Sequence, residues 1–76
     1  MSSDLPRIPK LLGRAVREAR LELKLTQMAL AEKADLGLNF VGEIERGEKL
    51  ASVETVVRLA RGLGITGELL LRRAGL

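Results

Sequence analysis

There is no cysteine and no histidine in this chain of 76 residues. A disulfide framework is excluded, and so is a zinc site of the usual Cys/His type. Aromatic residues are nearly absent, with Phe40 standing alone. The apolar share of 46% is carried by Leu, Ala, Val and Ile. That composition suits a small all-helical core better than a sandwich or barrel, which would want β-branched and aromatic runs. Long hydrophobic runs are missing too. None approaches the roughly 20 residues of a membrane span, and residues 1–7 lack the apolar core of a signal peptide. The expected location is the cytoplasm. Without His, Cys or a clustered polar constellation, nothing is present to organise catalysis. No enzyme activity, metal site or cofactor is expected.

The length allows one domain, near the lower limit for a core that folds without staples. No internal repeat, low-complexity segment or linker interrupts it. Charge is unevenly spread. The chain carries +3 overall. Residues 1–24 hold six Lys/Arg against three Asp/Glu, and residues 58–76 hold four against one. Residues 25–57 reverse the sign, with three Lys/Arg against six Asp/Glu. An acidic middle counts against strong nonspecific affinity for a polyanion, which grows with the number of phosphates neutralised. It leaves backbone amides and helix N-termini free to hold phosphates.

Periodicity predicts five helices. Residues 1–9, with Pro6 and Pro9, read as a loose or extended tail ahead of a single domain over 10–76. The first helix is expected over 10–24, burying Leu12, Ala15, Val16, Ala19 and Leu23. Thr26 is a good N-cap for the second helix, which turns Leu30, Ala31 and Ala34 inward. The turn Asp35-Leu36-Gly37 leads to a third helix over 38–46, with Val41 and Ile44 inward and Gly47 as its left-handed stop. Ser52 caps a fourth helix burying Val53, Val56, Val57 and Ala60. Gly62 and Gly64 break the chain, and Thr66 caps a fifth helix with Leu69 and Leu70 inward.

Two helix starts about ten residues apart, framing a short turn, are the layout of a helix-turn-helix. Leu25-Thr26-Gln27, then Leu30-Ala31, then Ile44-Glu45-Arg46-Gly47 make the segment resemble the phage repressor and Cro-like (XRE) family. The resemblance runs from about Leu12 to Leu71. It implies an all-α, compact five-helix bundle of the lambda-repressor-like type that binds double-stranded DNA and regulates transcription. The roles it suggests are restriction-modification controller, compact phage-type repressor and antitoxin.

The resemblance also assigns residues. Leu38, Asn39, Gly42 and Glu43 take the positions that face base edges. Asn39 can pair in a bidentate way with adenine, and Glu43 can accept from cytosine or remain a solvated charge. Leu38 can touch a thymine methyl, and Gly42 permits close approach of backbone. Thr26 and Gln27, at the start of the second helix, are placed to grip a phosphate. Arg46 and Lys49 are either phosphate contacts or solvated charges. Phe40 lies either on the sugar-phosphate backbone or across neighbouring helices. Arg20 and Glu45 match the family's structural salt bridge.

One unit reads few base pairs, so a homodimer on a two-fold axis is expected. Leu63, Ile65, Leu69, Leu71 and Leu76 offer its interface. Departures from the family pattern support a rival reading, a protein-interaction adaptor with little DNA contact. The net −3 of residues 25–57, Leu38, Gly42 and Leu50, apolar without an obvious partner, favour it, while Thr26-Gln27, Asn39 and Arg46 oppose it. Glu48 sets an acid near expected phosphates, and Gly37 stands where the family more often has a Ser or Thr cap.

Overall fold

The computed structural model describes residues 2–76. Among them are five α-helices and no strand: α1 (Ile8–Glu22), α2 (Gln27–Ala34), α3 (Leu38–Glu45), α4 (Val53–Gly62) and α5 (Gly67–Arg73). The all-α fold and the five-helix order agree with the sequence reading.

Three of the helices begin with the same device. The hydroxyls of Thr26, Ser52 and Thr66 accept from the amides of Ala29, Thr55 and Leu69, each three residues on. Each satisfies one of the amides that a helix start leaves free. Gly37 begins α3 with no side-chain cap. Its φ is −70° and no atom lies within 4 Å of where a Cβ would stand, so the geometry does not demand glycine.

The N-terminal segment differs from expectation. Ser2–Arg7 forms a 3-10 helix containing Pro6, and α1 starts at Ile8 with Pro9 in its first turn. The first turn of a helix needs no amide from Pro and suits its fixed φ. The prolines therefore start a helix here rather than extend the chain.

The core is aliphatic. Leu30, Ile44, Leu59, Leu70, Val16 and Val41 are its largest fully buried side chains. Helix α1 makes its main packing contacts with α3 and α5 rather than with α2, its neighbour in sequence. Helix α2 packs on α3 and α4, and α4 on α5. Small residues set the closest approaches. A Cβ on Gly13 would stand 2.2 Å from the Ile44 carbonyl oxygen and 2.8 Å from that of Glu45. Helix α1 thus rests its backbone on the end of α3.

Four leucine and valine placements need correction. Leu23, Val53 and Leu69, expected inside, are 51%, 82% and 43% exposed. Leu23 is the C-cap of α1, beyond its regular stripe, while the first turns of α4 and α5 turn Thr55 and Leu70 inward and leave Val53 and Leu69 on the outer side. Leu63, expected at a dimer surface, is only 4% exposed and belongs to the monomer core. It caps the C-terminus of α4 and turns inward there, while Gly64, at φ +73°, makes the break. Gly62 ends α4 as a buried helical residue and breaks nothing.

Candidate nucleic-acid interface

The joint between α2 and α3 is short. Asp35 adopts the left-handed conformation, at φ 57° and ψ 49°, and ends α2. The Leu36 amide then donates back to the Ala31 carbonyl at 2.9 Å. Arg58 of α4 holds this joint, donating to the Asp35 carboxylate at 3.0 Å, its carbonyl at 3.2 Å and Glu54 at 2.8 Å. Glu54 and Asp35 together keep the Arg58 guanidinium above its ordinary range. Only the four-residue spacing of Glu54 and Arg58 was visible in sequence.

Behind the joint lies a buried network. Arg20 Nε donates to Glu45 Oε2 at 2.6 Å, and Nη2 to Oε1 at 2.9 Å. Arg20 Nη1 also donates to the Leu25 carbonyl at 2.9 Å. The Glu45 side chain is 2% exposed. Hydrogen bonding to Glu45 raises the pKa of Arg20, against the opposing effect of burial. The expected bridge is therefore present, and it has a third member. Gln27 Nε2 donates to Glu45 Oε1 at 3.0 Å. The amide expected to face a phosphate is thus anchored through a buried carboxylate to α1. No buried side-chain polar atom among the described residues lacks a hydrogen-bond partner.

In front of the network, Gln27, Leu38, Asn39, Gly42, Glu43 and Arg46 line one open depression. Asn39 and Leu38 are exposed, and Glu43 is half-buried. Gly42 is buried rather than open. The Arg46 guanidinium lies 3.1 Å, and Gln27 Oε1 3.6 Å, from where a Gly42 Cβ would stand. Its lack of a side chain makes room for Arg46 in the free protein. Thr26 is exposed at the rim, its oxygen occupied as a cap acceptor while its hydroxyl hydrogen stays available. Phe40, read either as a backbone contact or as a packing residue, packs half-buried against the core.

At the C-terminal end of α3, Arg46 is engaged. Its Nε donates to Glu48 Oε2 at 2.8 Å and its Nη2 to Oε1 at 3.2 Å. Lys10 Nζ makes a long bond of 3.5 Å to the Arg46 carbonyl, a favourable cation at a helix C-terminus. Neither Lys10 nor the closure of Glu48 onto Arg46 was foreseen. Lys10 is 36 positions away, and no local spacing announces such a contact. Gly47, at φ +73°, brings it near, with Lys10 Cγ 2.9 Å from where a Cβ would be. Lys49 is exposed in the following loop.

Two helices joined by a left-handed residue, the second presenting a polar outer face and the first its N-terminus, define a helix-turn-helix. Residues 16–70 match the family model described as Helix-turn-helix, and the chain belongs to that family. It is 41% identical over 54 residues to an immunity repressor protein of Bacillus phage phi105, covering 71% of this chain and 38% of the relative. It is 35% identical over 69 residues to the control protein C.SmaI of Serratia marcescens, covering 91% and 82%. Among solved structures it resembles the restriction-modification controller C.AhdI from Aeromonas hydrophila, with TM-score 0.79, 32% identity, and 82% and 94% coverage. The clp gene regulator ClgR from Corynebacterium glutamicum superposes with TM-score 0.84 at 29% identity, covering 90% of this chain and 72% of that one. The chain spans little more than a third of the first curated relatives it matches, 38% of the repressor and 36% of a Candida albicans multiprotein-bridging factor. No helix among the described residues is long and apolar enough to cross a membrane.

Proposed function

We propose that this protein is a sequence-specific DNA-binding transcriptional regulator acting in the cytoplasm as a homodimer. The observation that carries the reading is the depression shared by Gln27, Asn39, Glu43 and Arg46. It sets an exposed amide near the start of α3 beside the capped N-terminus of α2. In this reading α3 enters the major groove, with Asn39 on a base edge and Leu38 and Glu43 beside it. Thr26 and Gln27 hold a backbone phosphate, and Arg46 and Lys49 meet others. Of the roles the family offers, restriction-modification controller has the most support, because the control proteins match along most of both chains.

Selection from random DNA tests the reading. The parent protein is expected to enrich a two-fold site. Asn39→Ala should lose about 1–3 kcal/mol of discrimination at one base position, while its melting temperature and nonspecific affinity hold. Binding should be compared at one salt concentration, since the electrostatic component varies steeply with salt. A parent without sequence preference, or an Asn39→Ala variant with preference unchanged, sinks base reading by α3.

The dimer is assigned to the face where Ile8, Leu50, Val53, Leu71 and Leu76 surround an apolar groove of about 400 Å³. A second copy is the favoured occupant because two-fold half-sites require two reading helices on one side. Leu50 is 77% exposed and Val53 82%, an unusual state for neighbouring large apolar residues. Leu69 is exposed and Ile65 half-buried, and neither lines this groove. Leu71→Glu is expected to shift sedimentation toward monomer and weaken operator binding without unfolding the chain. A parent that sediments as a monomer at all concentrations, on and off DNA, would exclude the dimer.

An adaptor reading has one specific observation in its favour: Arg46 is already neutralised by Glu48. The absence of any DNA selection would favour it.

A further inference from the structure

We propose that Glu48 occupies, in the free protein, the place of a DNA phosphate, so that binding exchanges an internal carboxylate for the nucleic-acid backbone. The inference rests on the DNA-binding reading above and names the residue that sets its affinity.

The geometry is that of a filled anion site. Both Glu48 oxygens receive a guanidinium hydrogen bond, at 2.8 and 3.2 Å, the two-pronged pattern Arg also makes with phosphate. Lys10, whose ammonium reaches the Arg46 carbonyl, and Lys49, next along the chain, add positive charge around the same carboxylate. Hydrogen bonding to Arg46, with the charges of Arg46, Lys10 and Lys49, holds the Glu48 carboxyl below the usual carboxylate range. Glu48 therefore remains ionised at neutral pH. The guanidinium it holds also borders the reading depression and lies over Gly42. That is where a strand running past α3 would bring its phosphates.

The pair is fully accessible. Its side chains are 58% and 53% exposed, so the bridge adds little to stability and opens readily. A backbone phosphodiester, with two non-bridging oxygens that share its charge, can accept the same two-pronged bond and competes for Arg46. The displaced carboxylate then sits unpaired near the polyanion. Both effects weaken binding to every DNA sequence alike, because the backbone carries no sequence information. Glu48 thereby suppresses nonspecific occupancy, and the base contacts must supply the difference.

Binding of the parent, Glu48→Gln, Arg46→Gln and the double variant to a random-sequence duplex and to the selected site tests this. Glu48→Gln is expected to tighten both roughly three- to fivefold per protomer, the scale of one exposed ion pair. The slope of log affinity against log salt should steepen by about one, since no freed carboxylate recruits a cation. The gain should shrink in the Arg46→Gln background. Unchanged affinity in Glu48→Gln overturns the inference while leaving the DNA reading intact. A gain of equal size with and without Arg46 overturns it as well, because Glu48 would then act by general repulsion. A gain confined to one DNA sequence contradicts the phosphate assignment. Absence of DNA binding by both the parent and Glu48→Gln removes the DNA reading and this inference together.

Discussion

Arg20→Ala is expected to lower the melting temperature severely and to abolish tight DNA binding. Glu45 would keep a charge in a side chain 2% exposed, with only the Gln27 amide left to hold it. Breaking one side of a buried pair costs about 3–5 kcal/mol. Each kcal/mol is worth roughly 4–8 °C in a domain of this size, so the midpoint should fall on the order of 15 °C. The pair itself contributes little net stability against an apolar isostere. Arg20→Met combined with Glu45→Leu should therefore regain much of the lost stability. It should not regain DNA binding, because Gln27 loses its anchor. Thermal denaturation followed by circular dichroism, with DNA titrations alongside, separates the two effects. A single variant as stable as the parent would show that the network does not govern folding.

Gly13→Ala is the second large effect. In an ordinary exposed helix the change would gain about 1 kcal/mol from propensity. Here the new methyl would overlap the backbone carbonyls of Ile44 and Glu45, at 2.2 and 2.8 Å. No side-chain rotation relieves a clash with backbone, so α1 must retreat from α3. Overpacking costs about 1–3 kcal/mol and occasionally more, and a methyl driven onto two backbone carbonyls falls at the upper end, which outweighs the propensity gain. The retreat also separates Arg20 from Glu45, so DNA binding should decline with stability. Denaturant titration reads the first effect; a Gly13→Ala protein at least as stable as the parent would refute the close crossing.

These two sites illustrate what the sequence made legible. Thr26, Ser52 and Thr66 were readable as caps because capping is local, an oxygen meeting an amide three residues on. Leu30, Val41 and Ile44 followed from helical periodicity. The Arg20–Glu45 bridge spans 25 positions and came only from resemblance to a family. Gly13 gave no sign, since a glycine inside a helical stripe reads as a weak position until the crossing helix is known. Val53 and Leu69 misled because hydrophobic character does not by itself give burial: on the same turns the fold buries Thr55 and Leu70 instead. Pro6 and Pro9 misled in the opposite sense: their fixed φ fits both an extended chain and the first turn of a helix. In the candidate interface, Asn39 and Gln27 could be placed from their positions in their helices together with the family resemblance, and the two line one depression. The Arg46–Glu48 pair could not, because two exposed side chains around a left-handed glycine meet only once the turn is built.

The choice of partners made by α1 bears on how the chain is born. This helix leaves the ribosome ahead of the other four, yet its main partners are α3 and α5. Helices α2, α3 and α4 can pair in nearly the order of their synthesis. The apolar stripe of α1, with Leu12, Ala15, Val16 and Ala19 fully buried in the finished fold, has no complete cover until α5 has emerged. Until then the nascent chain carries an amphipathic helix open to chaperones and to other nascent chains. Helix α3 is tied to α1 more directly, because the carboxylate that fixes Gln27 is itself held by Arg20 of α1. The nascent chain can therefore complete the Gln27 anchor once α3 has docked on α1, before α5 covers the rest of the α1 stripe.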